Sequence, residues 1–397
     1  MSQVAFFWLL LRFLSWFFVS LFSTINPITD LEKNIAFLPP SQDISIWAVR
    51  TFLSPWQRWD VTWYLKILSA GYAPLDGTAQ FHPLYPVLAK GLDWIGLHPM
   101  LSLLAVSSIS GLGFLLVFEK LAGLDETLEQ ARLSTIFLLF FPVSIVLFAP
   151  YTEATFLLFA ALCLYWCRKQ SWWLAGLAGA LACLTRQQGI LLLIPMAWEL
   201  WRDHTSRKEA PPALRIKPSK MNWLSLALPP FGYTIWLAYR LWVLNDFQVN
   251  LGSLQDFIYS ALISSSSSQV VPVQEFTLPW VALARAVDKL RNSPDTDIWV
   301  NLVGLVLFLF LTALTWRHLR LGYRYFVLAN LLLSISYYTG PAHPYMGLLR
   351  HCLLGFPIFI GISQVVRYKW ERVVLFSLFG VGWCFLLLLF SFEAWVL

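Results

Sequence analysis

The chain has 397 residues, of which 58% are hydrophobic and only 13% are charged, and its mean hydropathy is +0.63. So little charge, together with repeated long apolar runs, excludes an ordinary soluble protein and indicates helices that span a lipid bilayer. The net charge of +6 lies mainly in short loops between these runs, as membrane topology requires, so it gives no indication of a nucleic-acid partner. The composition therefore predicts an all-α polytopic membrane protein.

Hydropathy predicts about eleven spanning helices, on the basis of roughly 20 apolar residues per span. The N-terminal run lacks a small-residue cleavage site, so we interpret it as a retained first helix, and we treat 1–397 as one membrane-embedded domain. The predicted spans are 4–25, 99–118, 133–149, 152–167, 172–185, 187–201, 223–243, 298–316, 323–340, 348–366 and 373–395.

The basic loops predict the orientation of the spans. Lysine and arginine are concentrated after the sixth, eighth and tenth spans, and the positive-inside rule places these loops in the cytoplasm. Segments 26–98 and 244–297 then lie on the outer side. The first is predicted to carry interfacial helices at 44–53, 61–70 and 83–96. The second is polar, and we interpret it either as a mobile lid or as a solvated connection.

Segment 26–98 contains the most informative motif of the chain, RWD at 58–60, followed by FHPLYP at 81–86. A carboxylate at the membrane interface is costly, which makes Asp60 a candidate for function. Transfer of a sugar to a hydroxyl group needs a base to take the proton, and an inverting enzyme needs only one. The alternative is that Asp60 merely caps the helix that begins at Val61.

These two blocks resemble the signatures of the GPI second-mannose transferase family of PIG-V type, which are integral membrane glycosyltransferases of the GT-C class. The resemblance implies that Asp60 is the catalytic residue and that mannose comes from a polyprenyl- or dolichyl-phosphate donor. The acceptor would be a glycolipid or another membrane-proximal molecule, and no cofactor would be required. The short loops favour a bacterial plasma membrane, with the endoplasmic reticulum as the eukaryotic alternative and the active site on the non-cytoplasmic face.

Two further motifs also resemble features of this family. Glu153 opens the fourth predicted span, where it would act as a second carboxylate beside Asp60 or only complement the helix dipole. Arg186 lies in the TRQQG turn at 185–189. An arginine between two apolar runs needs a partner, which is either the phosphate of the donor or a structural pair with Glu153 or Asp60.

The remaining candidates are predicted to bind substrate. We expect Arg58, His82, Arg350 and His351 to contact phosphate, and Tyr85 to stack on a sugar ring. The alternatives are an interfacial cation for Arg58, a helix-start residue for His82 and an ordinary interfacial aromatic residue for Tyr85.

Other functional classes receive less support from the sequence. Asp60, His82 and Glu153 are ligand types that suit a divalent metal, but no metal-binding or nucleotide-binding motif indicates one. A transporter or flippase of lipid-linked sugars would distribute polar residues through its spans, whereas here they cluster on one predicted face. A GT-C enzyme that uses a different sugar is the nearest alternative.

Overall fold

The computed structural model describes residues 2–25, 51–74, 76–209, 220–245, 275–341 and 343–392. Within these ranges the protein is almost entirely helical, which confirms the all-α class. Four helical segments are long and apolar enough to cross a membrane, as expected for a membrane protein, and the total of about eleven spans stays a prediction. These four are Gln3–Phe22, Pro99–Ala122, Thr296–His318 and Lys369–Ser391.

Fifteen α-helices and one pair of short strands, together with several short 3-10 helices and one π-helical segment, make up the regular structure of the described residues. The helices are α1 Gln3–Ile25, α2 Asp60–Ala70, α3 Leu84–Trp94, α4 Pro99–Ala122, α5 Leu128–Phe140, α6 Glu153–Arg168, α7 Trp172–Thr185, α8 Leu193–Glu209, α9 Leu228–Tyr239, α10 Pro279–Asn292, α11 Thr296–Thr315, α12 Leu321–Ser336, α13 Leu348–Leu353, α14 Ile362–Val365 and α15 Lys369–Ser391. The strands, β1 Glu275–Phe276 and β2 Tyr337–Tyr338, pair antiparallel.

Two of the three predicted interfacial helices are present in segment 26–98. Helix α2 begins one residue before the predicted 61–70, and α3 lies within the predicted 83–96. The predicted helix at 44–53 lies mostly outside the described residues. The predicted span at 348–366 is divided into α13, a short 3-10 helix and α14. Pro357, which has no backbone N–H, and Gly361, which has a φ of +90°, lie at these interruptions.

Helix α6 lies at the centre of the fold, between α4 and α7, and α9 packs on the far side of α7. Small residues allow these close approaches. A Cβ atom added at Gly232 of α9 would lie 2.6 Å from the backbone oxygen of Ala180 in α7. Packing of this kind is typical of membrane helices, where small residues let backbones approach closely. The first residue of α6, Glu153, is thereby buried in the interior.

Paired charged residues also lie at the end of α6 opposite Glu153. Arg168 donates two hydrogen bonds to Asp125, at 2.5 and 2.9 Å, and Arg320 donates to Glu199 at 2.8 and 3.1 Å. At 1.5 Å per residue, Glu153 and Arg168 are roughly 22 Å apart along the helix. Paired charged groups therefore lie at both ends of the central helix.

The described part of segment 244–297 contains ordered elements that the sequence did not predict. Strand β1 pairs with β2, and α10 buries Ala282 and Ala286 in its packing against α12. Strands of two residues carry too little periodicity to be recognised in a sequence. Residues 246–274 lie outside the described residues, so the role of this segment as a lid stays a prediction.

Candidate functional site

Four distant segments bring two carboxylates and two guanidinium groups together. Arg350 of α13 donates a hydrogen bond from Nη1 to Oδ2 of Asp60, and its Nε lies 3.7 Å from Oε1 of Glu153. Arg186, directly after α7, donates from Nη1 to the same Oε1 at 2.7 Å and to Thr152 Oγ1 at 2.8 Å. The charges therefore alternate along the path Asp60, Arg350, Glu153, Arg186. We call these four residues the charged cluster.

The members of the charged cluster differ in their exposure. The Glu153 side chain has no exposed surface, Arg350 and Arg186 are 12% and 13% exposed, and Asp60 is 24% exposed. A fully buried carboxylate is tolerated only when it is paired with positive charge. Glu153 therefore pairs with both arginines from the buried side, and Asp60 is the member most accessible to solvent.

Several polar atoms of the charged cluster retain hydrogen-bonding capacity. Among the described residues, Asp60 bonds only through Oδ2, so Oδ1 remains available as an acceptor. Arg186 uses only Nη1, which leaves Nε and Nη2 as donors, and Nη2 of Arg350 is likewise uncommitted. None of these four atoms is sealed from solvent, in contrast to Glu153 Oε2 and the Tyr151 hydroxyl, which are buried without a partner among those residues.

The backbone before Asp60 has an unusual conformation. Trp59 has φ +44° and ψ −110°, a region that bulky residues rarely occupy and that costs about 1–3 kcal/mol. Packing of its ring on Phe390, at 5.6 Å between centroids, helps to hold this conformation. Asp60 is then the first residue of α2, and its side chain makes no capping hydrogen bond with the helix. The cap considered as the alternative role of Asp60 is absent from the described structure.

Two glycines shape the positions of the two arginines. Gly347 precedes α13 with φ +70°, and a Cβ atom at this position would lie 2.3 Å from Nε of Arg350. A Cβ atom at Gly189 would lie 2.5 Å from the backbone nitrogen of Cys183, because the turn at 185–189 folds closely against the end of α7. Glycine is required at 189, where the neighbouring atoms belong to the backbone, whereas at 347 the positive φ favours glycine and an added Cβ atom would displace the Arg350 side chain.

Two buried asparagines that the sequence analysis did not single out hold α13. Asn301 of α11 accepts a hydrogen bond from the backbone N–H of Leu349 at 3.4 Å, and its amide nitrogen donates to Asp297 Oδ1 at 2.7 Å. Asn330 of α12 donates to the carbonyl oxygen of His351 at 3.0 Å. Both asparagines are completely buried within apolar helices, where polar side chains are costly, and that cost was the signal available in the sequence.

Arg58 and Tyr85 lie apart from the charged cluster. Arg58 donates to the carbonyl oxygens of Pro55 and of Ser391, at the end of α15, each at 3.1 Å. The Tyr85 ring is fully buried beside Tyr64, and its hydroxyl donates to the Leu103 carbonyl at 3.0 Å. In this structure both residues stabilise the surroundings of the site, and Tyr85 has no open ring face for a sugar.

The two histidines border the charged cluster without joining its ion pairs. His82 lies at the entrance to α3, with Nδ1 2.7 Å from the carbonyl oxygen of Cys183. Burial lowers the pKa of His82 to about 3, and the nearby charges of Arg240 and Arg186 act in the same direction. His351 is buried in α13, with its ring 6.0 Å from that of Tyr337. We expect a neutral His82 at physiological pH.

Residues with metal-binding side chains do not converge within the described ranges. No group of three histidine, cysteine, aspartate or glutamate residues there has the spacing of a metal site. Arg350 lies between Asp60 and Glu153, where a metal shared by these carboxylates would have to bind. No family model, curated protein or solved structure matches the chain.

Proposed function

We propose that the protein is an inverting membrane glycosyltransferase that transfers mannose from a polyprenyl- or dolichyl-phosphate donor to a lipid-linked or membrane-proximal acceptor. The main observation in favour of this proposal is the hydrogen-bonding capacity that remains unused in the charged cluster. One carboxylate oxygen of the cluster is available as a base, and guanidinium N–H groups on two arginines are available to donate hydrogen bonds to a phosphate, all within a membrane protein. The sugar, the acceptor and the GT-C class come from the resemblance in motifs 58–60 and 81–86.

In the proposed reaction, Oδ1 of Asp60 takes the proton of the acceptor hydroxyl. The acceptor oxygen bonds to the anomeric carbon as the bond from that carbon to the phosphate oxygen breaks, and the electron pair leaves with the lipid phosphate. Attack from the face opposite the leaving group inverts the anomeric configuration. One base is sufficient, because the phosphate leaves with its own charge.

The charged cluster suits the movement of charge in this reaction. Two arginines and two carboxylates give it a formal net charge of zero. During transfer Asp60 is neutralised while the leaving phosphate gains one negative charge, so a unit of negative charge moves within reach of both arginines. Donors fixed in advance around developing charge are the main source of electrostatic catalysis. Glu153 contributes by fixing the two guanidinium groups from the buried side.

The direct test is an assay of the purified protein with polyprenyl-phosphate mannose and a panel of glycolipid and peptide acceptors. We expect a mannosylated product of inverted configuration, no transfer from nucleotide-linked mannose, and full activity with a chelator present. A transporter or flippase would move the lipid-linked sugar across a vesicle membrane without forming a glycosidic bond. Preference for a donor with a different sugar would keep the proposed class of reaction but change the proposed substrate.

A further inference from the structure

His82 occupies a position next to the charged cluster that does not fit a phosphate contact. Its Nδ1 faces the carbonyl oxygen of Cys183 at 2.7 Å, and Cys183 lies one turn before Arg186 at the end of α7. A carbonyl oxygen can only accept a hydrogen bond, so Nδ1 carries the proton and donates it. The same contact satisfies one of the carbonyl groups left without a partner at the end of the helix.

This assignment determines what the other ring nitrogen can do. In a neutral imidazole with its proton on Nδ1, Nε2 carries only a lone pair and accepts a hydrogen bond. Nε2 has no hydrogen-bond partner within the described ranges, and it is not sealed from solvent. A lone pair repels the oxygens of a phosphate. The phosphate role predicted for His82 therefore does not fit this tautomer, whereas a hydroxyl group that donates a hydrogen bond does.

The surroundings of His82 suit a sugar. The ring of Tyr233 in α9 lies 5.9 Å from the imidazole, and the ring of Trp236, which is buried, lies 6.1 Å from it. Tyr239, whose side chain is exposed, stacks on Trp236 at 5.7 Å. Aromatic rings of this kind pack against apolar C–H groups, while their polar ends take part in hydrogen bonds. A pyranose ring presents both C–H groups and hydroxyl groups. Because His82 contacts the carbonyl oxygen of Cys183, three residues before Arg186, this position adjoins the expected phosphate site.

We propose that Nε2 of His82 accepts a hydrogen bond from one hydroxyl group of the transferred sugar, and that His82 thereby helps to select the donor. This proposal rests on the proposed function, because it places the sugar of the donor beside the charged cluster. A site that accepts a hydrogen bond from a substrate hydroxyl discriminates against the analogue that lacks it. His82 is thus assigned a specificity-determining contact with the sugar.

The test measures kcat/KM for polyprenyl-phosphate mannose and for four deoxy donors that lack the hydroxyl at C2, C3, C4 or C6. In the wild-type protein we expect one deoxy donor to react about tenfold more slowly than mannose through loss of this hydrogen bond. The variant His82→Asn keeps an amide N–H near Nδ1 for the Cys183 carbonyl but has no acceptor at Nε2. Its kcat/KM values for that deoxy donor and for the mannose donor should lie within about twofold of each other.

The variant His82→Gln supplies the matched control, because its amide oxygen reaches toward the Nε2 position. It should recover part of the discrimination that His82→Asn loses, which a purely structural role of His82 would not produce. Equal discrimination by wild type and His82→Asn against every deoxy donor would overturn the proposal, as would a wild type that discriminates against none. If the wild-type protein transferred no sugar from any donor, the proposed function itself would be refuted.

Discussion

Gly347→Ala moves Arg350 without changing any charged residue. The new Cβ atom would lie 2.3 Å from Nε of Arg350, so the guanidinium group must retreat by about 1 Å to reach ordinary van der Waals contact. Alanine in this left-handed conformation also costs roughly 1–2 kcal/mol of stability. A displacement of 1 Å in a catalytic group can lower a rate about 10²-fold, and we expect a loss of turnover of that size.

Gly96→Ala is the matched control. Gly96 has φ +95°, so alanine is strained there too, but nothing lies within 4 Å of its added Cβ atom. Both variants should lose thermal stability through the strained backbone, and only Gly347→Ala should lose turnover in the mannose-transfer assay. Equal turnover of the two variants in their folded fractions would show that the contact with Arg350 is irrelevant to the reaction.

Three further predictions concern the surroundings of the cluster. Arg186→Lys keeps the charge but loses the planar edge of hydrogen-bond donors, so KM for the sugar donor should rise about tenfold or more. The control Arg168→Lys, at the other end of α6, should leave this KM unchanged. Asn301→Leu should lower turnover in the wild-type background but have no further effect in Arg350→Ala, and additive losses in this cycle would refute positioning through Arg350. Because the pKa of His82 lies near 3 in the folded protein and near 6.5 unfolded, its stabilising contribution is complete above about pH 6.5 and declines as the pH falls toward 3. The melting temperature of wild type should therefore fall relative to that of His82→Asn on acidification from pH 7 to about pH 4. A difference between the two melting temperatures that does not change with pH would contradict the lowered pKa of His82.

The sequence predicted those features that depend on local pattern. Apolar runs identified the helical class, and α7 has the predicted bounds of 172–185. The pair of Arg186 with Glu153 was one of the predicted alternatives, because a buried arginine between apolar runs needs a partner. In these cases the prediction depended only on single residues and their sequence neighbours, such as the cost of burying a charge between apolar runs.

Features that depend on distant contacts escaped prediction. Arg350 meets Asp60 across 290 positions of sequence, and no local pattern specifies that pairing. Asn301 belongs to an apolar helix, and its function as an anchor for α13 depends on the position of Leu349. The placement of Gly347 against Arg350 likewise follows only from tertiary structure.

Asp60→Asn in the mannose-transfer assay tests whether Asp60 is the base that takes the proton of the acceptor. Asparagine keeps the shape of the side chain and an oxygen that can accept from Arg350, but it has no basicity. We expect a folded protein with transfer reduced by about 10²–10⁴-fold, the usual contribution of general base catalysis. Asp76→Asn is the control, since Asp76 is also paired with a cation, Lys66, and is similarly exposed at 21%. Its transfer should remain near that of wild type, and wild-type turnover by folded Asp60→Asn would contradict the account.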